Sequence, residues 1–449
     1  MSTNKKNKSL ELATFAYDFF HAGYLPLALY NKIKILLYDQ LGLEYANSKL
    51  PCSTAAIDYF AKSSCIGRSR IIFYGKQLSA EAAATINSVF GHAEDFDDTC
   101  LSVQTHPGAV VIPAVFAVAE EKNLTLNQVL LAILMGYEIT LRIADSVTPG
   151  ILEQGHHTPS AVGLFAVAIA TGLLLGLNVK ELVNALGIAG SFSSGLTEYT
   201  QSGGSIKRFH CAIGTSSGIR SSYLAYNGIT GPSSVLDGGK GFLRVFSRQE
   251  PDFSKLTNNL GTDWLINRVS LKYFNCCYFI HAPLDAFLTI INENSIHYLD
   301  IEKVLVGISK YAIEHVGTIK KPIDLLGAQF SLTYTLAMSV IFGYPKLDSY
   351  RELLLDNKEI NLLEEKIEIY NDEVAQSEYP YNWGAIVTIF TQNGQSFSLS
   401  SDQDILKVCL KILCHLTKYG VNLKLISGHY LTKSKKNYKK FFLTAMVKS

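Results

Sequence analysis

The feature that most constrains the fold is an uncharged run from Thr158 to Val179. Its length would suffice for a membrane-spanning helix. However, Lys180 is the only cation near either end, and the rest of the sequence offers no second convincing span. We therefore interpret the run as a buried helix in the core of a helical protein, and we expect no membrane partner.

Other apolar segments with helical periodicity surround this run and predict a mainly α fold. They cover residues 10–20, 26–42, 54–62, 79–90, 110–121, 126–146, 160–177, 179–195 and 210–227. Ser79 is the expected N-cap of the fourth helix. Recurring Ala, Gly and Ser on these segments predict closely packed helices in a large all-helical domain.

The pattern changes after about Trp264, where short strand-like segments alternate with helical ones. Strands are predicted at 269–273, 301–311, 367–370, 385–390 and 396–400, and helices at 280–294, 328–342 and 403–416. Asn393-Gly394 is a hairpin signal between the last two strands. We therefore predict that residues 1–265 plus 401–449 form the helical domain and that residues 266–400 form an inserted, smaller α+β lid domain.

Composition excludes several classes of function. The formal net charge of the 449 residues is +1, and no basic stripe marks a nucleic-acid surface. The eight cysteines are scattered without a C-x-x-C pair, and residues 1–8 lack the apolar segment of a signal peptide. These features predict a cytoplasmic protein with reduced thiols and no metal site.

The most unusual polar segment lies between two apolar flanks, residues 82–90 and 109–118. It supplies four carboxylates, a hydroxyl and an imidazole: Glu94, Asp95, Asp97, Asp98, Thr99 and His106. Buried ionisable groups cost several kcal/mol unless they are paired or used. If the segment were helical, Asp95, Asp98 and Thr99 would share one face and Asp97 would point elsewhere. A capping or solvated loop is the alternative interpretation.

Three other segments place polar groups in apolar surroundings. His157 precedes the uncharged run at a predicted helix N-terminus, where a neutral imidazole beside an anionic ligand could transfer protons. A glycine-rich turn at Gly203-Gly204 leads to Lys207, Arg208 and His210, a typical place for a carboxylate or phosphate, although it lacks the P-loop spacing. Lys272 lies in an aromatic run shortly before His281. Each segment also has a structural alternative. His157 could be a loop histidine with its hydrogen bonds satisfied, Lys207 and Arg208 could face solvent, and Lys272 could be a snorkelling strand residue.

Together these motifs resemble the MmgE/PrpD family, which includes 2-methylcitrate dehydratase, cis-aconitate decarboxylase and iminodisuccinate epimerase. The resemblance rests on Asp95-Phe96-Asp97-Asp98-Thr99 with His106-Pro107-Gly108 and extends through residues 25–43, 228–242, 277–285 and 329–334. It implies a homodimer of helical domains with α+β lids, with the active site between the two domains. It also implies cofactor-free chemistry on small di- or tricarboxylic acids.

The resemblance carries site roles onto matching positions of this sequence. It implies catalytic roles for Asp95, Thr99, His106 and His157, and substrate binding by Lys207 and Lys272, with Arg208, His210 and His281 as further candidates. Either histidine could be the base or the acid that moves a proton next to a substrate carboxylate, while Asp95 orients a histidine or transfers a proton and Thr99 donates a hydrogen bond.

The sequence also departs from the family pattern. His157-Thr158-Pro159 replaces the His-Pro-Thr order that is often found, and the tyrosine that the decarboxylases carry before the Lys-Pro of the lid is absent before Lys321-Pro322. We therefore expect a dehydratase- or decarboxylase-like lyase, with an epimerase, isomerase or specialised-metabolism cyclase as the alternative. A D-x-D-D terpene cyclase is disfavoured because only Trp264 and Trp383 could supply indole rings, and a non-catalytic binding protein is a further alternative.

Overall fold

Helices dominate the N-terminal half of the chain, as the sequence predicts. The structure is a computed structural model that describes residues 7–343, 345, 349–350 and 357–402. Its first elements are α1 (Lys8–Ala22), α2 (Leu27–Asn47), α3 (Pro51–Ser63), β1 (Ser69–Arg70), β2 (Gln77–Leu78), α4 (Ala80–His92), β3 (Thr99–Cys100), α5 (Pro107–Lys122), α6 (Leu126–Val147), α7 (Gly150–Glu153), α8 (Thr158–Ala161), α9 (Gly163–Leu174), α10 (Val179–Ala189), α11 (Tyr199–Ser202), α12 (Lys207–Tyr226) and α13 (Phe242–Phe246).

The uncharged run forms the centre of the helical core. It divides into α8 and the longer α9, every residue of which is buried. At 1.5 Å per residue, the 12 residues of α9 extend about 18 Å, well short of the ~30 Å hydrocarbon layer. Within the described residues, no helix combines the length and the hydrophobicity that a membrane crossing requires.

Small residues allow the core helices to pack closely. A Cβ on Gly218 of α12 would lie 2.4 Å from Val167 Cβ and 2.6 Å from the Leu164 main-chain oxygen of α9. A Cβ on Gly136 of α6 would lie 2.5 Å from Val111 Cγ1 of α5. Because atoms cannot approach so closely, glycine sets the spacing between these helices.

The second half of the chain contains the α+β structure predicted for the lid. Its elements are β4 (Val269–Ser270), α14 (His281–Asn294), β5 (Ile301–Ile308), α15 (Lys310–Val316), α16 (Leu325–Gln329), α17 (Leu332–Phe342), α18 (Lys358–Glu364), β6 (Ile367–Asn371), α19 (Glu373–Glu378), β7 (Ala385–Thr391) and β8 (Ser396–Ser401). The strand order is β6-β5-β7-β8, with β5 and β6 parallel and the other pairs antiparallel. Alternate residues of β7 are buried, because one face of the sheet packs against α14.

Several element boundaries differ from the sequence prediction. Helix α2 continues beyond Gly42 to Asn47, whose amide donates to the Phe90 main-chain oxygen at 3.0 Å. The strand predicted at 301–311 ends at Ile308, because Ser309 caps a new helix, α15. The predicted helix at 403–416 lies outside the described residues, as does the predicted return of the chain to the helical domain.

A two-residue antiparallel pairing joins the two halves of the structure. Thr99 pairs with Ser270 and Cys100 pairs with Val269. The pairing holds two stretches of the chain side by side: the one that follows the acidic segment and the one that leads to Lys272. It therefore positions side chains that are more than 170 positions apart in the sequence.

Candidate active site

The acidic segment forms a tight loop rather than a helix. Helix α4 ends at His92, and Asp95 adopts a left-handed backbone conformation with φ 53°. The shared helical face considered for Asp95, Asp98 and Thr99 is therefore wrong. Gln329 Nε2 anchors the loop by donating to the main-chain oxygen of Glu94 at 2.8 Å and to its Oε2 at 3.1 Å.

Two buried lysines converge on Asp95. Lys207 Nζ donates to Asp95 Oδ1 at 2.6 Å. Lys272 Nζ donates to the Asp95 main-chain oxygen and lies 3.1 Å from Oδ2. All three side chains are at most 3% exposed. The structure thus excludes both a solvent-facing Lys207 and a snorkelling Lys272.

The two ammonium groups keep the Asp95 carboxylate ionised. Burial opposes ionisation, but Lys207 and then Lys272 hold the pKa of Asp95 well below its usual value. Burial alone would lower the pKa of Lys272, yet Asp95 and Asp97 raise it above its usual value. With the ionised Asp97, the buried cluster holds two cations and two anions, but Asp97 does not line the cavity. The cavity surface therefore presents two ammonium groups and one carboxylate, which suits an anionic ligand.

A second buried chain of contacts supports Lys207. Asp97 Oδ2 lies 2.8 Å from His92 Nδ1, and His92 Nε2 lies 2.9 Å from Lys207 Nζ. A carboxylate can only accept and an ammonium can only donate, so His92 carries its proton on Nδ1 and is neutral. Burial lowers the pKa of His92, in agreement with this assignment. Asp97, rather than the predicted Asp95, thus orients a histidine, and His92 positions the lysine.

The Nδ1 atom of His106 faces several acceptors. It lies 3.1 Å from the Asp98 main-chain oxygen, 3.2 Å from Thr99 Oγ1 and 3.4 Å from Asp97 Oδ2. The proton therefore belongs on Nδ1, which leaves an unprotonated Nε2. Burial lowers the pKa of His106 to about 3, so the ring is neutral near pH 7. The Thr99 hydroxyl donates to the Asp97 main-chain oxygen at 3.3 Å and can accept from His106.

His157 contacts a second histidine behind it. Its Nδ1 atom lies 3.0 Å from Nδ1 of His210, and the two rings are buried. Burial, and then the neighbouring His210, hold the pKa of His157 well below its usual value. Burial lowers the pKa of His210 to about 4. Both rings are therefore neutral at pH 7, and one donates to the other.

All six residues to which the resemblance assigns catalytic or substrate-binding roles line one cavity. It encloses about 470 Å³ of empty space, counting its open mouth. We call the polar part the ionic wall; it consists of Asp95, Thr99, His106, His157, Lys207 and Lys272. Of the further candidates, His210 contacts His157 but does not line the cavity. Arg208 bonds to Gln329 Oε1 at 3.4 Å, His281 stacks on Tyr278 at 4.2 Å, and neither lines the cavity.

Sequence reasoning did not identify the rest of the cavity surface. It includes Gln104, Leu152, Thr197, Tyr199, Cys277 and six neighbouring ring residues. We call these six the aromatic wall: Tyr278, Phe279, Tyr311, His315, Phe330 and Trp383. Phe279 and Trp383 stack with ring centroids 3.9 Å apart, and Tyr311 and His315 stack at 5.7 Å. Only the aromatic run after Lys272 signalled this surface in the sequence, because its other members come from separate segments.

The polar cluster has a spacing that could accommodate a metal ion. Side-chain donor atoms of His92, Asp95, Asp97 and His106 all lie within 4.8 Å of one another. However, the Lys207 ammonium already contacts His92 and Asp95, and Lys272 adds a second positive charge. A cation placed there would be repelled by both lysines. The donors therefore fit ammonium groups rather than a metal ion.

Asp98 is buried and hydrogen-bonded within the helical domain, and it does not line the cavity. Its Oδ1 accepts from Gly108 N at 2.9 Å, and its Oδ2 accepts from the Tyr137 hydroxyl at 2.7 Å. Burial, the largest influence, raises the pKa of Asp98 to about 7, and Asp97 adds to the shift. The folded protein therefore retains a proton on Asp98 that the unfolded chain loses above pH ~4.

We expect Asp98→Asn to flatten the dependence of stability on pH. Between pH ~4 and ~7 the folded state binds more protons than the unfolded state, so the stabilisation from Asp98 is complete at low pH and is lost as the pH rises through 7. Melting temperatures measured from pH 5 to 8 should fall more steeply for the wild type than for the variant. The exposed Asp58→Asn variant is the control and should parallel the wild type. Parallel curves for Asp98→Asn would contradict the prediction.

Comparisons with known proteins agree with the resemblance seen in the sequence. The chain is 30% identical to a cis-aconitate decarboxylase of Aspergillus terreus over 336 residues, which are 71% of this chain and 68% of that protein. It is 25% identical to the human cis-aconitate decarboxylase over 365 residues, covering 77% and 73% of the two chains. It is also 25% identical to a 2-methylcitrate dehydratase of Escherichia coli over 309 residues, covering 64% and 61%.

Family models cover nearly all the described structure. The MmgE/PrpD N-terminal domain matches residues 11–254, and the MmgE/PrpD C-terminal domain matches residues 274–406. The first match contains most of the ionic wall, whereas the second contains the aromatic wall. The chain therefore belongs to the MmgE/PrpD family.

Proposed function

We propose that the protein is a lyase that acts on a small carboxylic acid by moving a proton next to a carboxylate, with dehydration or decarboxylation as the outcome. The named relatives are decarboxylases and a dehydratase, which are lyases. The observation that carries the proposal is the ionic wall, in which two buried ammonium groups and two neutral imidazoles line one cavity.

Binding of the substrate would use the positive charge of the wall. At the cavity surface Lys207 and Lys272 share one carboxylate, Asp95, so an anionic substrate can contact the two ammonium groups there. Because both lysines are buried, they interact with the substrate in surroundings of low polarity, where electrostatic attraction is stronger than in water. The same cations would stabilise the negative charge that develops on the substrate carboxylate in the transition state.

His106 is our assignment for the proton acceptor. Its Nδ1 proton is held by the loop, so its Nε2 lone pair is available to substrate. In a dehydration, His106 takes the proton and the C–H electron pair forms an enolate, which then expels hydroxide. His157 protonates the hydroxide, so that water leaves, and the proton held by His106 afterwards returns to His157. In a decarboxylation, the C–C bond breaks, its electron pair stays on the substrate as a carbanion, and CO₂ leaves. The carbanion takes a proton from one of the histidines, which regains a proton from solvent. Neither step as written calls for a cofactor.

The same geometry disfavours a terpene cyclase. Such a mechanism needs a protonated carboxylic acid facing the substrate, but the cavity-lining Asp95 is kept ionised by two lysines. Asp97 and Asp98 bond to His92 and Tyr137 instead. Trp264 packs against Phe15 and Phe19, so it supplies no indole to the cavity. Operation as a cytoplasmic homodimer stays a prediction.

Proton exchange in D₂O tests the proposed reaction class. Purified protein would be incubated with a panel of di- and tricarboxylic acids, including cis-aconitate and 2-methylcitrate, and followed by NMR. We expect deuterium incorporation next to a carboxylate, or release of water or CO₂, for at least one acid. His106→Gln should lower that rate by about 10²–10⁴. Equal rates in wild type and variant, or no exchange with any acid, would contradict the proposal.

A further inference from the structure

We propose that the substrate is an amphiphilic carboxylic acid, with its carboxylates against the ionic wall and an uncharged alkyl, alkenyl or aryl substituent against the aromatic wall. This inference rests on the proposed function, because it names the substrate class of the same cavity. A compact acid with a carboxylate at every end would leave one carboxylate facing the aromatic wall. The geometry therefore points to a substrate with charge at one end only.

The first argument is the uneven distribution of charge around the cavity. Among the residues that the structure describes, every formally charged group that lines the cavity belongs to the ionic wall: Asp95, Lys207 and Lys272. The remaining lining residues carry no formal charge at neutral pH. Burial lowers the pKa of His315 to about 4 and raises that of the lining thiol, Cys277, to about 12, so both are neutral. A carboxylate desolvated against this surface would lack a cationic partner, which is costly.

The second argument is that the aromatic wall is a packed surface rather than a few scattered rings. Phe279 lies at its centre, with ring centroids 3.9 Å from Trp383, 5.6 Å from Tyr311 and 5.5 Å from His315. His315 continues the contacts to Phe330 at 5.6 Å. Rings fixed by their neighbours provide apolar area with little loss of side-chain entropy on binding.

The two walls meet at Lys207. Its Nζ lies 5.4 Å from the centroid of the Phe330 ring, within cation–π distance, while it donates to Asp95. A ligand carboxylate at Lys207 therefore has the aromatic wall directly beside it. A substituent on the carbon next to that carboxylate would contact the rings without leaving the cavity.

A series of unreactive acids tests the proposal in the wild-type protein. The probes are succinate, methylsuccinate, ethylsuccinate and butylsuccinate, with tricarballylate as the compact tricarboxylate, and dissociation constants are measured by titration calorimetry. Full burial of each added methylene would tighten binding about fourfold. We therefore expect butylsuccinate to bind at least about thirtyfold more tightly than succinate, and about tenfold more tightly than tricarballylate.

The possible outcomes separate this inference from the proposed function. Equal affinities along the alkyl series, or tighter binding of tricarballylate than of butylsuccinate, would overturn the amphiphilic substrate and leave the carboxylate site intact. Failure of all five acids to bind would contradict both proposals. Because the probes are saturated and need not react, none of these results depends on turnover.

Substitution of a central ring provides a second test. Phe279→Ala should weaken binding of butylsuccinate at least about fivefold more than it weakens binding of succinate, because the lost area faces only the substituent. Tyr370→Ala removes a ring from the exposed side of the sheet and is the control, expected to preserve the whole series. An equal effect of Phe279→Ala on both ligands would contradict the assignment of the aromatic wall. If the variant does not fold, the wild-type series decides.

Discussion

Lys207→Met is expected to lower kcat/KM by about 10³-fold or more. Two of the three Lys207 ammonium protons are directed to Asp95 Oδ1 and His92 Nε2, which leaves one for an anionic substrate. Methionine retains most of the side-chain volume but cannot balance charge that develops on the substrate. The measurement is steady-state kinetics with an acid that undergoes exchange in D₂O.

A companion variant separates catalysis from folding. Removal of Lys207 leaves the buried Asp95 with Lys272 alone, and loss of one partner of a buried ion pair typically costs about 3–5 kcal/mol of stability. In the double variant Lys207→Met/Asp95→Asn the charge is again balanced, so the melting temperature should recover while activity does not. Lys240→Met removes an exposed lysine as the control. Wild-type kinetics in Lys207→Met would show that the residue has only a structural role.

His157→Ala is expected to lower kcat by about 10²–10⁴ with little change in melting temperature. The ring lines the cavity and is neutral, and its hydrogen bond to His210 Nδ1 is the one polar contact of the ring among the described residues. Its removal therefore takes away a proton-transfer group without leaving a buried charge unpaired. Kinetics and thermal melting on the same preparations test both parts of the prediction.

Two neighbouring histidines provide matched controls for this variant. His156 precedes His157, packs against Phe246 and does not line the cavity, so His156→Ala should retain activity. His210→Ala should cause a smaller loss than His157→Ala, because it removes only the group that orients the ring, and it should change the pH profile of kcat. Full activity of His157→Ala would exclude His157 from the mechanism.

Local features of the sequence predicted much of the fold. Ser79 caps α4, as its position before an apolar helical pattern indicates, and its side chain accepts from Ala82 N. Asn393-Gly394 joins β7 and β8 in the expected hairpin. These predictions depend on contacts between residues close in sequence, whose preferences are physical properties of short segments.

The detailed geometry of the site depends on contacts that no local pattern specifies. Three segments that end near residues 95, 207 and 272 meet through tertiary packing, and only the coordinates show that Asp95 is shared by both lysines. The structure likewise shows that Asp97 accepts a hydrogen bond from His92. The aromatic wall combines residues from 278 to 383, so hydrophobic periodicity could place each ring in a core but not in one cavity.

The short pairing of β3 with β4 has a consequence for how this sequence can change. Residues 101–268 connect the two strands and carry His106, His157 and Lys207 of the ionic wall. Only insertions in the exposed loops of this connection would therefore leave the site unchanged while Thr99 stays opposite Ser270. If the pairing of β3 with β4 shifted by one residue, the side chains that follow β4 would point in the opposite direction. Leu271 or Tyr273 would then take the place of Lys272 beside Asp95. The length of those exposed loops can therefore vary, whereas the alignment of the four paired residues cannot.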